Sequence, residues 1–565
     1  MYTAVKRFQH FLKRNQLESK PFQSECFRWC VGKEQVKQKE QPPDTLAKPD
    51  TLAKPDTLAK PGTLAKPDTL AKPGGILALE MGLGKTIVML GLLKCNMKTQ
   101  TLIVLPLSLL DQWEKCIIKF CGCKPLVYHG SRPKNMKISL AELKTYPIVV
   151  TTYGQMSLPS AKQAKKGRSK SRLHDIRWNR LICDEAHHVS HTKTNEYKGI
   201  KALQAEICWL VTGTPLQNNE KELYTLYSLF GLPNCTRYYD AANNYTDIAK
   251  QIIFHSTKAG AGLALPPLHE HTVNLEWQNE LECEFAWHIH SLLKFCNVPQ
   301  KAPAQEIESD NENPKALRMK YLAKAQQVCI YPPMLNRAIS HFEELLYEGL
   351  CPNDADQDAD QDADQEDGVE GAVPLGGSPL LQSKINAVIH TLLERIGNGC
   401  GKIVFCHYYT EIDVLCEQLL HADPTLQIAK FDGRVLHSKR GDILSQPVDI
   451  LIAQIKMCRE GLNLQDHYSE VYFPSPDFNP AIEQQAIARC WRIGQKKTVH
   501  VFRYLMGGVP PLAPHADAPA TPLTETEDGV QVAEPLTMDM FSTKLHAKKR
   551  KFVNKMTASA TSYKN

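Results

Sequence analysis

Two short stretches carry the residue types of phosphoanhydride chemistry. The first, Glu80-Met81-Gly82-Leu83-Gly84-Lys85-Thr86, follows an apolar run at 75–79 and precedes an apolar helical pattern at 87–93. Glycines let backbone N–H groups wrap a phosphate, and a helix start adds the positive end of its dipole. In such a loop Lys85 reaches the β- and γ-phosphates and Thr86 holds Mg²⁺. The strict pattern has glycine where Leu79 stands, so the loop alone could be a chance turn. The second stretch is Leu181-Ile182-Cys183-Asp184-Glu185-Ala186-His187. Here an apolar strand delivers two acids at its carboxyl end, where α/β sheets bind ligands. Asp184 is expected to bind Mg²⁺, and Glu185 to orient and deprotonate an attacking water. An isolated Asp-Glu pair is usually surface charge, but a strand-borne pair about a hundred residues after a phosphate loop points to ATP hydrolysis.

The elements that must position these residues read as parallel α/β sheets. Buried strands are expected at 75–79, 101–105, 147–151, 181–183 and 208–212, and again at 401–406, 449–453, 471–473 and 498–504. Helix-like segments lie between many of them, the alternation of a parallel sheet. A mostly helical middle at 220–347 separates the two groups, so the expected fold is α/β, two parallel-sheet lobes with a helical bridge. Three inserts interrupt it. A six-residue unit, Asp or Gly followed by Thr-Leu-Ala-Lys-Pro, repeats five times over 44–73. A proline in every unit breaks any helix, and one leucine per unit cannot bury a core, so an extended tether is expected. The stretch 354–370 holds nine carboxylates and no basic residue, and is expected to be disordered. A Pro-, Ala- and Thr-rich stretch at 507–535 reads as a surface loop.

The apolar and charged fractions are those of an ordinary globular protein, and no apolar run has the length of a membrane span. No secretory signal is expected at the amino terminus. The 18 cysteines are scattered without paired Cys-x-x-Cys motifs, which disfavours a zinc module and points to reduced thiols in a nuclear or cytoplasmic setting. A net charge of +6 is too weak alone to imply nucleic acid. Basic clusters at 162–172 and 544–551 could contact phosphates or simply be solvated faces.

Taken in order, the motifs resemble the Swi/Snf branch of the superfamily-two helicase-like ATPases over about residues 22–504. Lys20-Pro21-Phe22-Gln23 with Trp29 is similar to the adenine-reading segment. Residues 105–110 with Trp113, and Val150-Thr151-Thr152-Tyr153, are similar to the first two DNA-contact motifs. Leu210-Val211-Thr212-Gly213-Thr214-Pro215-Leu216-Gln217-Asn218-Asn219 is similar to the string that couples hydrolysis to lobe movement. Residues 402–414, Glu460-Gly461-Leu462-Asn463-Leu464 and the run from Gln485 to Gln495 are similar to the later motifs. Arg489 and Arg492 stand three apart, so on a helix they share one face.

That resemblance implies two RecA-like lobes and a double-stranded DNA translocase, with nucleosomal or other protein-bound DNA as its substrate and no membrane partner. It implies ATP and Mg²⁺ as cofactors, with ATP held by Gln23 and by Leu79, Glu80, Met81, Gly82, Leu83, Gly84, Lys85 and Thr86. Lys85, Asp184, Glu185, Arg489 and Arg492 would be catalytic, the arginines completing the ATP site from the second lobe. Thr86 and Asp184 would hold the metal. His187, Thr212, Gly213, Thr214, Gly461 and Gln485 would couple the lobes, and Ser108, Trp113, Thr152 and Asn463 would touch nucleic acid. The implied order is an N-terminal segment (1–43), the tether (44–73), the first lobe (74–235) and the helical bridge (236–350). An acidic insert (351–375), the second lobe (376–506), a loop (507–536) and a bracing helix with a basic tail (537–565) follow.

Four departures from the family pattern bear on lobe coupling. They are Leu79, His255-Ser256 ahead of Thr257-Lys258, Met457-Cys458-Arg459, and Ser475. None removes a phosphate, metal or water group. A strand-separating DNA or RNA helicase shares the same ATP chemistry, and a non-hydrolysing nucleic-acid scaffold is a third reading. The Arg492-Ile493-Gly494-Gln495 string favours the translocase over the helicase. No chromodomain-like, bromodomain-like or zinc-RING segment is expected in this sequence. Its compact motor and short-unit repeats are also similar to motors encoded by large DNA viruses, for which a host nucleus or viral factory would be the setting.

Overall fold

The computed structural model describes residues 2–35, 72–160, 169–213, 220–232, 244–292, 314–335, 382–460, 463–508 and 537–561. The chain divides into two compact units, the first chiefly Met1–Leu265 and the second chiefly Pro266–Cys458 with Leu462–Ala547.

In the first unit the strands are β1 (Gly74–Leu79), β2 (Thr101–Leu105), β3 (Leu126–Val127), β4 (Ile148–Thr152), β5 (Arg177–Asp184), β6 (Gln204–Val211) and β7 (Ile253–Ser256). They form one sheet in the order β3-β4-β2-β5-β6-β1-β7, every pair parallel. Alternate side chains supply its two cores. Ile76, Leu102, Val104, Cys183 and Leu210 face one way, while Leu77, Ile103, Leu105, Ile182 and Val211 face the other. The second face is covered by helices α1 (Tyr2–Arg14), α2 (Pro21–Gln35), α3 (Lys85–Cys95) and α4 (Leu110–Cys116). Burial on both faces is why these strands read as continuous apolar runs.

The second unit repeats the design. Its strands are β8 (Leu268–Leu275), β9 (Gly401–Cys406), β10 (Ile428–Phe431), β11 (Ile450–Gln454), β12 (Tyr468–Phe473) and β13 (Val499–Met506). All are parallel, in the order β10-β11-β9-β12-β13-β8. The helix Met538–Thr561 begins against this sheet. Asp539 at its start pairs with buried Lys384 and accepts the N–H of Met506 at 2.9 Å.

The segment expected as a helical bridge contains helices Asn244–Ile252, Glu280–Leu292 and Pro314–Ile330, but it also supplies β7 and β8. Because β7 pairs with β1 and completes the first sheet, the first unit runs to Leu265 and does not stop near 235. Residues 44–71, 351–375 and 509–536, which include most of the three inserts, lie outside the described residues. Among the described residues no helix is long and apolar enough to cross a membrane.

Candidate active site

Strands β5, β6 and β1 lie side by side, with Asp184 paired to Val211 and Val211 paired to Leu77. Their carboxyl ends are therefore level, and each releases a different chemical segment at the same edge. β1 runs into the glycine loop, β5 into Asp184-Glu185, and β6 into Thr212-Gly213.

The loop turns through Gly82 (φ +90°) and Gly84 (φ +81°), left-handed conformations that glycine adopts without the Cβ penalty. A Cβ on Gly84 would stand 2.6 Å from the side-chain nitrogen of Gln23. That amide donates to the Leu83 carbonyl at 3.1 Å, so α2 lays Gln23 directly on the loop. From the other side β7 anchors Glu80. Its N–H donates to Ser256 O at 2.9 Å, and its carboxylate accepts the Lys258 N–H at 2.7 Å and lies 3.5 Å from the Lys258 ammonium. Lys85 and Thr86 open α3, at the positive end of its dipole.

The Lys85 ammonium lies 3.9 Å from Glu185 Oε1. It also lies where a side chain on Gly213 would go, because a Cβ there would stand 2.7 Å from Nζ. Glu185 has φ +49°, a rare backbone conformation for a residue with a side chain. His187 Nδ1 is 3.4 Å from Glu185 Oε2. The His187 ring stacks on His188, which stacks on Tyr153.

Asp184 is buried and held at three atoms. Trp113 Nε1 donates to Oδ2 at 2.8 Å, the Glu185 N–H donates to Oδ1 at 3.0 Å, and the Tyr153 hydroxyl donates to the backbone carbonyl at 2.6 Å. Burial, together with the like charge of Glu185, pushes the Asp184 carboxyl up to about 6, with Lys85 and Trp113 pulling the other way. The carboxylates of Asp184 and Glu185, and the hydroxyl of Thr86 at the start of α3, offer oxygen donors. Oxygen ligands are what a hard cation such as Mg²⁺ takes, and the neighbouring glycine loop, helix start and ammonium suit a polyphosphate. These residues fit ATP with Mg²⁺.

In the second unit, helix Pro480–Cys490 carries Arg489 in its last turn. The expectation that Arg492 shares this helix is corrected, since the helix ends at Cys490. The Trp491 indole donates to Pro266 O at 2.8 Å, the Arg489 carbonyl accepts the Leu464 N–H, and Gly494 turns the chain at φ +103°. The two guanidinium groups still lie near each other. Burial, then the like charge of Arg489, lowers the Arg492 pKa, and Arg492 Nη1 donates to Asn463 Oδ1 at 2.6 Å.

The first unit thus brings together Gln23, the loop, Asp184, Glu185, His187, Thr212 and Gly213. Other expectations need correction. Leu79 and Leu83 send fully buried side chains into the core, so only their backbone atoms can serve a ligand. Trp113 is 1% exposed and Thr152 5%, so neither side chain is available to a nucleic acid in this structure. Ser108 is half-buried and Asn463 is exposed, although Asn463 is held by Arg492. Gln485 is buried in its helix. Thr214 and Gly461 lie outside the described residues.

Sequence reasoning missed Tyr153 and Lys258 as functional-site contacts. Both stand inside stretches that carry the resemblance, but nothing in one dimension shows which backbone atom they meet. It also missed the buried Glu34–Arg180 pair, which ties α2 to β5 through two hydrogen bonds at 2.7 and 2.6 Å.

The SNF2-related domain model matches residues 22–329, and the helicase conserved C-terminal domain model matches 383–494. The DNA repair protein RAD5 of Candida albicans is 25% identical, over 77% of this chain and 54% of its own length. The ATP-dependent DNA helicase DDM1 of Arabidopsis thaliana is 24% identical, over 76% of this chain and 56% of its own. This chain spans about half the length of those two curated relatives. A solved structure, the Sulfolobus solfataricus SWI2/SNF2 ATPase core in complex with dsDNA, is 19% identical over 87% of this chain and 88% of that one, with a TM-score of 0.36. The SNF2-related match alone covers more than half of the sequence and takes in the glycine loop, the acidic pair and the Thr212-Gly213 turn, so this chain belongs to the SNF2-related family.

Proposed function

We propose that this protein is a DNA-dependent ATPase that couples ATP hydrolysis to movement along double-stranded DNA. The observation that carries the reading is the convergence of Lys85, Asp184, Glu185 and Gly213 at the level ends of three adjacent strands.

Bound ATP and Mg²⁺ would supply the electrophilic phosphorus and its charge neutralisation. This chain supplies the rest. Loop N–H groups and Lys85 bind the phosphates, Thr86 and Asp184 hold the metal, and Gln23 reads the adenine. Glu185 takes the proton of the attacking water. Its backbone conformation and its neighbours Lys85 and His187 fix where its carboxylate points, and general-base catalysis of this kind contributes roughly 10²–10⁴-fold. Arg489 and Arg492 are the type of group that stabilises charge on a transferring phosphoryl.

DNA is expected to be held mainly through phosphates, so affinity should fall steeply with salt and depend little on sequence. Nucleosomal or otherwise protein-bound duplex is the proposed substrate, which places the protein's work in the nucleus. Ser108 and Asn463 are the expected side-chain contacts, while Trp113 and Thr152 act from behind the surface.

The test is ATP hydrolysis by the purified chain with duplex DNA, single-stranded DNA, RNA or no nucleic acid. Strong stimulation by duplex, together with displacement of a triplex-forming strand, supports the translocase. Preferential stimulation by single strands with fork unwinding replaces it with a helicase. Near-normal turnover by Glu185→Gln would remove the assignment of the base.

A further inference from the structure

Helix α1 buries Val5, Phe8, Phe11 and Leu12 against the first unit. It lies close to α3, where a Cβ on Gly91 would stand 2.3 Å from the Phe8 ring. Beside this contact, between α1, the last turn of α3 and the chain at 119–122, lies a cavity of about 490 Å³. Its wall carries Lys6, Arg7, Arg14, Lys94 and Lys119 and no carboxylate. All five are exposed, Lys6 lies over the Tyr2 ring and Lys119 over the Phe120 ring, and among the described residues none of the five forms an ion pair. Lys94 is at the opposite end of α3 from Lys85, about 14 Å along the helix axis at 1.5 Å per residue.

Helix capping accounts for part of this charge only. Lys94 donates to the Cys121 carbonyl at 2.8 Å, and a cation in a last turn complements the helix dipole. Arg14 closes α1 in the same way. Lys6 and Arg7 are in the first half of α1, where the dipole does not favour a cation, and both side chains are exposed. The other lining groups give the recess an apolar side, since Phe11 is buried there and the half-buried Phe120 lies 6.3 Å from it between ring centres. Burial pushes the lining thiols of Cys95 and Cys121 up to about 11 and about 12, so they are not thiolates that would balance the cations.

We propose that this recess is a second phosphate-binding site, separate from the ATP site, for a free organic polyphosphate of nucleotide size. Its volume is that of small-ligand pockets, and its cations come from three different elements, so they can surround a compact polyanion. Arg7 and Arg14 offer planar forks for phosphate oxygens, and Phe120 offers a ring face to the organic part. A duplex backbone is convex and would meet the rim of such a recess more readily than its interior. That makes DNA the competing source of the same phosphate chemistry.

The experiment uses the full chain carrying Lys85→Ala, which weakens phosphate binding at the glycine loop. Binding of inorganic tripolyphosphate and of ATP is measured by calorimetry with and without added Lys6→Glu and Arg7→Glu. The expected result is one-to-one binding of both probes, weakened at least tenfold by the two added changes. In an otherwise unaltered chain, Lys6→Glu with Arg7→Glu should leave basal ATP hydrolysis unchanged, which shows that the fold is intact. Absent binding, or binding that ignores the two charge reversals, overturns the proposal. So does a result in which only duplex affinity falls, which would make this face a DNA-backbone surface. The binding readout does not depend on DNA-stimulated hydrolysis, so it can fail or succeed separately from the proposed function.

Discussion

The indole N–H of Trp113 donates to Oδ2 of Asp184 at 2.8 Å, inside the first unit and out of contact with solvent. Trp113 lies on α4, directly after the 105–110 stretch that resembles a DNA-contact motif. Tyr153 ends the second such stretch and donates to the Asp184 backbone carbonyl. Two aromatic residues behind the expected DNA-facing segments therefore hold the side chain and the backbone of one acid. A shift of the first segment would reach the proposed metal carboxylate through Trp113, and a shift of the second would reach its backbone through Tyr153.

Trp113→Phe should uncouple these parts while keeping most of the packing. A hydrogen bond to a charged group is worth about 1.5–3 kcal/mol, so roughly a tenfold or greater fall in duplex-stimulated turnover is expected. Duplex affinity should stay near that of the wild type, because the indole is buried. Parallel steady-state kinetics and DNA-binding titrations check this. A loss confined to DNA affinity would return Trp113 to the role of a nucleic-acid contact.

How far the fold was legible follows the same division between buried interior and edge. The strands expected from apolar runs are the inner strands of both sheets, packed on both faces and mostly apolar along the runs that marked them. The four strands missed, β3, β7, β8 and β10, are the four sheet edges. An edge strand is partly exposed, so its pattern weakens; β8 reads Leu-His-Glu-His-Thr-Val-Asn-Leu. The residues proposed for the ATP site stand out in the sequence because phosphate and metal chemistry demands particular groups at particular spacings. Trp113 and Thr152 were misread because motif membership does not reveal which way a side chain points. Likewise, the spacing of Arg489 and Arg492 could not show that Trp491 ends the helix between them.

Gly213→Ala should impair catalysis while sparing stability. The new methyl group would stand 2.7 Å from Lys85 Nζ and 2.8 Å from Met81 Cγ, both in flexible side chains. The fold can yield by moving Lys85, but the ammonium then leaves its position beside Glu185. Misplacement of about 1 Å costs up to about a hundredfold in rate, so a tenfold to hundredfold fall in kcat with an unchanged thermal midpoint is expected. Unaltered turnover would show that Lys85 adapts freely.

Arg180→Leu should destabilise the first unit by about 3–5 kcal/mol, because it strands a buried charge. Glu34 lies fully buried, and besides Arg180 it takes hydrogen bonds from Trp209 at 2.8 Å and Asn96 at 2.6 Å. The double change Glu34→Leu with Arg180→Leu removes both charges and should recover part of the loss. Denaturant midpoints of the wild type, both single variants and the double variant close the cycle. A double-variant loss equal to the sum of the two single losses would mean that the pair is not coupled.

His290 gives the second unit a pH-dependent anchor. Its Nδ1–H donates to the Ala286 carbonyl, and its Nε2 accepts the Met538 N–H at 2.9 Å, at the start of the C-terminal helix. The Met538 bond requires the neutral ring, because protonation at Nε2 removes the acceptor, whereas the Ala286 bond survives protonation. Burial lowers the His290 pKa below the ordinary 6.5, with Ala286 and Asp539 opposing that shift. The unfolded chain therefore takes up this proton more readily than the folded one. The stabilising contribution is fully present above about pH 6.5 and is lost as pH falls through the lower folded value. Cys329, which lies 3.7 Å from Nε2, is held as a neutral thiol by burial and does not compensate. The expected outcome is a fall in the denaturant midpoint of the wild type between pH 7.5 and pH 5.5, with faster amide exchange at the Met538 end of the helix. His290→Gln keeps an acceptor but no titrating group, so the His290 share of that fall should vanish. An identical pH profile in the variant would show that other carboxylates and histidines govern acid lability.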